Sequence, residues 1–232
     1  MTNLEKELQE LKEQIIDMMH LVESQLEKSR KAFAKQKGGL AKEIHKLENR
    51  VNSMELSINK DCENIIALYN PVASDLRLVL AAHKIITNLE RIGDHADKIA
   101  RYVRKDILKD PYDEKLLAEV EFDLMFNTAL EMVNDAIDGF NNEDPEVARG
   151  VFEKDLIINN IYKKGADVIA AYQKKNPGDI PDLLCLFSIL NKLERVGDLA
   201  KNIAVETIFY VEAEVLKHKK NKKRKTPPEP KE

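Results

Sequence analysis

Tryptophan is absent from this chain of 232 residues, aromatic residues make up 6% of it, and cysteine occurs only twice. The two thiols, Cys62 and Cys185, stand far apart and in no metal-ligand spacing. That excludes a disulfide-stapled scaffold or a zinc ribbon and predicts two reduced, buried thiols. No apolar run nears the ~20 residues that a membrane-spanning helix needs. The opening Met1-Thr2-Asn3-Leu4-Glu5-Lys6-Glu7 does not read as a signal peptide, which predicts a cytoplasmic protein. The eight glycines are scattered, so phosphate-cradling loops of the Walker or dinucleotide type are missing. None of His20, His45, His83, His95 and His218 has a glutamate three residues before it, as a ferritin-like di-iron centre would require. No Ser/His/Asp or Cys/His grouping can be assembled, and the expectation is that the protein is not an enzyme.

What is present is charge on a helical pattern. Hydrophobic residues make up 43% of the chain and charged residues 34%, which fits a soluble, helix-rich protein with few β-branched runs. The net charge of −4 divides unevenly: eight Lys/Arg against two Glu give Lys217–Glu232 a charge of +6, leaving −10 on Met1–Leu216. Residues 218–232 have too little apolar matter to fold alone and are predicted to be a disordered basic tail. Such a tail is either a solubilising end or a contact for anionic lipid headgroups or an acidic partner surface; nucleic acid is not expected.

Apolar residues at Leu4, Leu8, Leu11, Ile15, Met18 and Val22 alternate steps of four and three, a coiled-coil-like seam that predicts a long first helix ending at Gly38-Gly39. A second helix is expected over about Leu40–Tyr69. Asn70-Pro71 then supplies a turn, with Asn70 as a helix N-cap and Pro71 in the first turn. A third helix is expected on to about Ile107, with Leu78, Ala82, Ile85, Leu89, Ile92, Ala96, Ile99 and Val103 on one stripe. The second half predicts helices over Tyr112–Phe140, Asp144–Asn176 and Ile180–Lys217, and Asp144-Pro145-Glu146 is a strong helix start. Outside the tail every proline, Pro71, Pro111, Pro145, Pro177 and Pro181, falls at a predicted join. The expected fold is all-α, two tandem, internally duplicated antiparallel three-helix bundles over residues 1–109 and 110–217, with a single merged six-helix bundle as the alternative.

The duplication is explicit. Leu89-Glu90-Arg91-Ile92-Gly93-Asp94 returns as Leu193-Glu194-Arg195-Val196-Gly197-Asp198, and Ile86–Ala100 laid on Leu190–Ala204 shows eight identities in fifteen positions. In each copy the two acids stand four apart, on one helix face, around a glycine that costs a helix interior about 1 kcal/mol relative to alanine. Its repetition points to a close neighbour there, either another backbone or a ligand held by the two carboxylates.

If the helices on either side of Pro71 form a hairpin, residues equidistant from the turn stand level. Glu48 and Asp94 are equidistant from Pro71, and so are Asn52 and Glu90; about Asn176-Pro177 the same holds for Asp155 with Asp198 and Asn159 with Glu194. Each half then opposes an acid-xxx-Asn pair to a Glu-xxx-Asp pair. Three carboxylates and an amide facing each other repel unless something neutralises them. Oxygen-only donors suit hard cations such as magnesium, calcium, manganese or iron more than zinc. The alternative is ion pairing with Arg50, Arg91, Arg195 or Lys98.

The run Asn70-Pro71-Val72-Ala73-Ser74-Asp75-Leu76-Arg77, followed by the two Leu-Glu-Arg-(Ile/Val)-Gly-Asp copies, resembles the PhoU family of phosphate-signalling regulators over nearly the whole chain, roughly Leu4 to Lys217. The resemblance implies two three-helix bundles and a non-catalytic accessory protein of phosphate transport. It implies an adaptor between a phosphate ABC transporter ATPase and a sensor histidine kinase, acting as a negative regulator and meeting the membrane only through its partners. A homodimer is expected.

Metal binding through acid-xxx-acid motifs in the family implies Glu48, Glu90 and Asp94 for one site and Asp155, Glu194 and Asp198 for the other, with iron, manganese, magnesium or zinc as candidate ions. Asn52 and Asn159 stand where a fully acidic motif has Asp, which weakens both sites. Asp97 could compensate in the first half, whereas its counterpart is Lys201. Asp75 matches Asp179 at the same spacing, as a helix cap or part of a partner surface. A metal-dependent enzyme or metal store using the duplicated carboxylates is the alternative function, and a purely structural bundle with salt-bridged acids a third.

Overall fold

The computed structural model describes residues 2–35, 38–104, 111–177 and 180–216. The expected basic tail 218–232, Asp179, the predicted helix end at Ile107 and the side chain of Val103 lie outside the described residues. The elements are α1 (Asn3–Lys35), α2 (Gly38–Tyr69), α3 (Ala73–Arg104), α4 (Glu114–Glu119), α5 (Phe122–Asn141), α6 (Pro145–Lys175) and α7 (Ile180–Glu212), with no strand among the described residues. The first three long helices pack on one another, and so do α5, α6 and α7, so the duplicated three-helix plan is present.

The two halves are not separate bodies. α3 packs along α7 and α1 touches α5, and one continuous buried cluster runs from Leu8, Leu11 and Ile15 through the α3 stripe to Ile203 and Ile208. The expected stripe Leu78, Ala82, Ile85, Leu89, Ile92, Ala96 and Ile99 is buried throughout. Polar clasps reinforce this seam. Lys12 and the Tyr210 hydroxyl both donate to Glu143, Lys84 pairs with the buried Glu206 at 2.9 Å, and Phe33 stacks on Phe122 with centroids 4.5 Å apart.

Helix ends differ from expectation in four places. Gly38 and Gly39 open α2 instead of lying beyond a helix end, and no glycine among the described residues has a positive φ. Asn70, at φ 48°, ends α2 rather than capping α3, its N–H reaching the Ile66 carbonyl at 3.3 Å. Pro71 is therefore a buried turn residue, and α3 begins only at Ala73. The helix expected over Tyr112–Phe140 is broken: Asp113 caps the short α4, and Glu121, at φ 52°, turns the chain before α5. No Gly or Pro marks this break. It turns Phe122 inward, where it is 4% exposed between Phe33 and Phe126.

At the other end α7 stops at Glu212 rather than Lys217. Ala213, at φ 58°, closes the helix onto the Phe209 carbonyl, while Arg149 clasps Glu212 and Glu214. Asp144 caps α6 as expected, accepting from the N–H groups of Glu146 at 2.9 Å and Val147 at 3.3 Å ahead of Pro145 in the first turn. Both cysteines are free thiols, but only Cys62 is buried, and burial pushes its thiol up to about 12; Cys185 is half-buried.

Candidate functional site

The duplicated motifs occupy corresponding positions on α3 and α7, each turned toward the second helix of its own half. In the first half Glu48 of α2 is buried and Asp97 of α3 is 1% exposed, with Glu90 and Asp94 half-buried beside them. Burial is the main reason the Glu48 carboxyl lies above its ordinary range, and the neighbouring charges of Asp94, Glu90 and Asp97 push it the same way. Glu90 is raised first by burial and then by Glu55 and Asp94, against Arg91 and Lys98. The structure thus gathers Glu48, Glu90, Asp94 and Asp97 in one acidic neighbourhood. Asn52 is half-buried, and its Oδ1 has no hydrogen-bond partner.

In the second half Lys201 Nζ lies 2.6 Å from Asp155 Oδ2 and 3.6 Å from Asp198 Oδ1. One ammonium therefore spans the two acids expected to stand level across α6 and α7. Arg195 reaches Asp198 at 3.4 Å and Glu194 at 3.5 Å. Glu194 is raised by burial and then by Asp198, and its Oε2 is buried without a hydrogen bond. Asn159 is half-buried.

Cations of the chain itself meet most of these acids. Lys98 pairs with Asp94; Arg101 donates to Asp97 at 2.6 Å, and His45 stands 3.6 Å from the same carboxylate. Of the four expected partners, Lys98 and Arg195 pair with the acids and Arg50 and Arg91 do not among the described residues; Arg101, Lys201 and His45 take part instead. Among the described residues no three His, Cys, Asp or Glu side chains gather as a group able to hold a metal ion. Oxygens without a hydrogen bond remain at Asn52, Asp97 and Glu194, but lysine and arginine heads sit among the carboxylates where an ion would neutralise them. In this arrangement the donor set does not fit a metal ion.

One residue escaped the sequence reading altogether. Gln25 of α1 is fully buried and donates from Nε2 to Glu48 Oε2 at 3.2 Å and to the Ile44 carbonyl at 3.4 Å, leaving its own Oε1 without a partner. The signal was there: Gln25 and the equally buried Ser29 continue the three-and-four spacing of the α1 seam beyond Val22. A polar residue on a core stripe must face something polar.

Glutamine in place of Glu48 offers Gln25 Oε1 a donor and removes a charge that its surroundings disfavour. Glu48→Gln is expected to stabilise the protein at neutral pH by about 1 kcal/mol, read by urea unfolding. The wild-type carboxyl, raised in the native state, takes up a proton more readily than in the unfolded chain. Its native-state penalty is therefore present above the raised value and fades as the pH falls toward the ordinary 4.5, so the difference between the two proteins narrows in acid.

The PhoU domain matches twice, over residues 15–103 and 122–207, one match in each half. The chain is 34% identical over 213 residues to a protein of Aquifex aeolicus named phosphate-specific transport system accessory protein PhoU homolog, covering 92% of this chain and 95% of that one. It is 32% identical over 212 residues to the Escherichia coli protein of that accessory name, covering 91% of this chain and 86% of the other. The crystal structure of PhoU from Pseudomonas aeruginosa superposes with a TM-score of 0.85 at 31% identity, covering 91% of this chain and all of that one. The phosphate transport system regulatory protein PhoU of Streptococcus pneumoniae superposes with a TM-score of 0.81 at 26% identity, covering 92% and 99% of the two chains. With a PhoU domain in each half, and relatives alike along nearly their whole length, this chain belongs to the PhoU family.

Proposed function

We propose that this protein is a regulator of phosphate transport, an adaptor that binds a phosphate ABC transporter ATPase and a sensor histidine kinase and restrains uptake and the phosphate-starvation response. The observation that carries the reading is the near full-length match to relatives named as accessory and regulatory proteins of phosphate-specific transport rather than as enzymes. The structure offers an adaptor's materials: long rigid helices, an acidic body, and no helix among the described residues long and apolar enough to cross a membrane. Contact with the membrane then runs through the partners. Acids tied to lysine and arginine heads suit a docking face that exchanges internal ion pairs for a partner's basic side chains.

The test is co-purification of the full chain with the two partners, in high and in low phosphate. Association with the ATPase or the kinase is expected, weakened by the Glu90→Ala, Asp94→Ala, Glu194→Ala, Asp198→Ala variant with its helical circular dichroism intact. Failure to bind either partner in both conditions would overturn the adaptor reading.

A further inference from the structure

The packing of α3 on α7 brings the two copies of the motif to one cleft of about 560 Å³, lined by Arg91, Asp94 and His95 from α3 and by Arg195, Asp198 and Asn202 from α7. We propose that this cleft between the halves binds inorganic phosphate, held by Arg91 and Arg195 together. Two planar guanidinium forks on one cavity are a donor arrangement suited to a tetrahedral oxyanion. Asn202 adds a side-chain amide, and the His95 side chain lines the cleft beside Asp94.

The carboxylates on the same walls cancel this charge only in part. Lys98 pairs with Asp94 and Lys201 with Asp198, while Arg195 reaches Asp198 at 3.4 Å and Glu194 at 3.5 Å. Among the described residues no carboxylate lies within ion-pair distance of the Arg91 guanidinium. Lys98 and Lys192 also stand near His95 and add to the positive field.

The two aspartates supply selectivity. Hydrogen phosphate carries an O–H that can donate to Asp94 or Asp198, whereas sulfate at neutral pH offers acceptors only and meets those carboxylates as like charge. A phosphate group could also arrive as a lipid headgroup. The site needs both halves, since each supplies one arginine. The inference rests on the regulatory reading for its meaning, a direct report of phosphate level to the α3–α7 seam.

The experiment is isothermal titration of the full chain with inorganic phosphate, with sulfate at matched ionic strength, and with phosphatidic-acid vesicles. The parent, Arg91→Ala, Arg195→Ala and the double variant are compared. Both arginines are exposed, so the variants are expected to keep their circular dichroism and melting. Saturable phosphate binding to the parent is expected, weaker by about tenfold or more in each single variant and lost in the double, with sulfate at least about tenfold weaker. No saturable binding to the parent, undiminished binding to the double variant, or binding to vesicles alone would overturn the proposal. If the double variant loses phosphate and still co-purifies with the transporter ATPase, the site is upheld and the adaptor reading stands apart from it.

Discussion

Valine in place of Gly93 is expected to destabilise the protein by about 2–5 kcal/mol, among the largest effects of any single substitution outside the apolar core. A Cβ built at Gly93 lies 2.8 Å from Gln25 Oε1 and 3.0 Å from Glu48 Oε2, and both of those side chains are buried. Valine's branched carbon must push them apart, which adds steric strain and breaks the Gln25–Glu48 hydrogen bond away from water. The helix-propensity gain over glycine, about 0.5 kcal/mol, is too small to compensate.

The second copy behaves differently although its sequence is nearly the same. A Cβ at Gly197 meets Ile158 Cδ1 at 3.2 Å and Met132 Cε at 3.5 Å, the far ends of flexible side chains. Gly197→Ala is therefore expected to fall within about 1 kcal/mol of the parent, the propensity gain offsetting a small repacking cost. Equilibrium urea unfolding of Gly93→Val and Gly197→Ala checks both. Equal losses at the two glycines would mean that the polar contact at Gln25 is not what sets the cost.

Lys84→Met is expected to destabilise the protein by about 2–3 kcal/mol. It takes the ammonium at 2.9 Å away from Glu206, whose side chain is only 4% exposed, and leaves that carboxylate in the seam between α3 and α7. Removing one partner of a fully buried pair costs about 3–5 kcal/mol; the smaller figure follows because Lys84 is 47% exposed and water screens the pair. The methionine keeps an apolar stem near Phe209, over whose ring the lysine head now sits at 5.5 Å. Changing both residues, Lys84→Met with Glu206→Leu, is expected to recover part of the loss, because the buried carboxylate is removed together with its lysine. A double-mutant cycle by urea unfolding measures the coupling. A double variant no more stable than Lys84→Met would show that the seam depends on the Glu206 carboxylate for more than its lysine.

Much of this molecule was legible along the chain because helices write their buried face locally. The seam from Leu8 through Leu11, Ile15, Met18 and Val22, with Leu4 half-buried at its start, and the α3 stripe from Leu78 to Ile99 are buried as their spacing required. Asp144-Pro145 caps a helix because oxygen acceptor, missing N–H and first-turn acid act within a few residues of one another. Lys201 reaches Asp155 across the α6–α7 hairpin at 2.6 Å and Asp198 on its own helix at 3.6 Å. Glu121 shows the limit: nothing local demands a left-handed residue there, and the break answers to Phe122 packing against Phe33 from another helix.

The sequence by itself determined the all-α class, the duplication, the family and the acids that would share a face. All of these depend on periodicity and on contacts within one hairpin. Only the tertiary structure decided that the halves share a single core, that Gln25 rather than an apolar residue presses on Gly93, and that lysines and arginines stand among the carboxylates. It alone set Arg91 and Arg195 on one cleft. These are meetings between residues far apart in the chain, and side-chain spacing within a helix carries no information about which face of a distant helix it will meet.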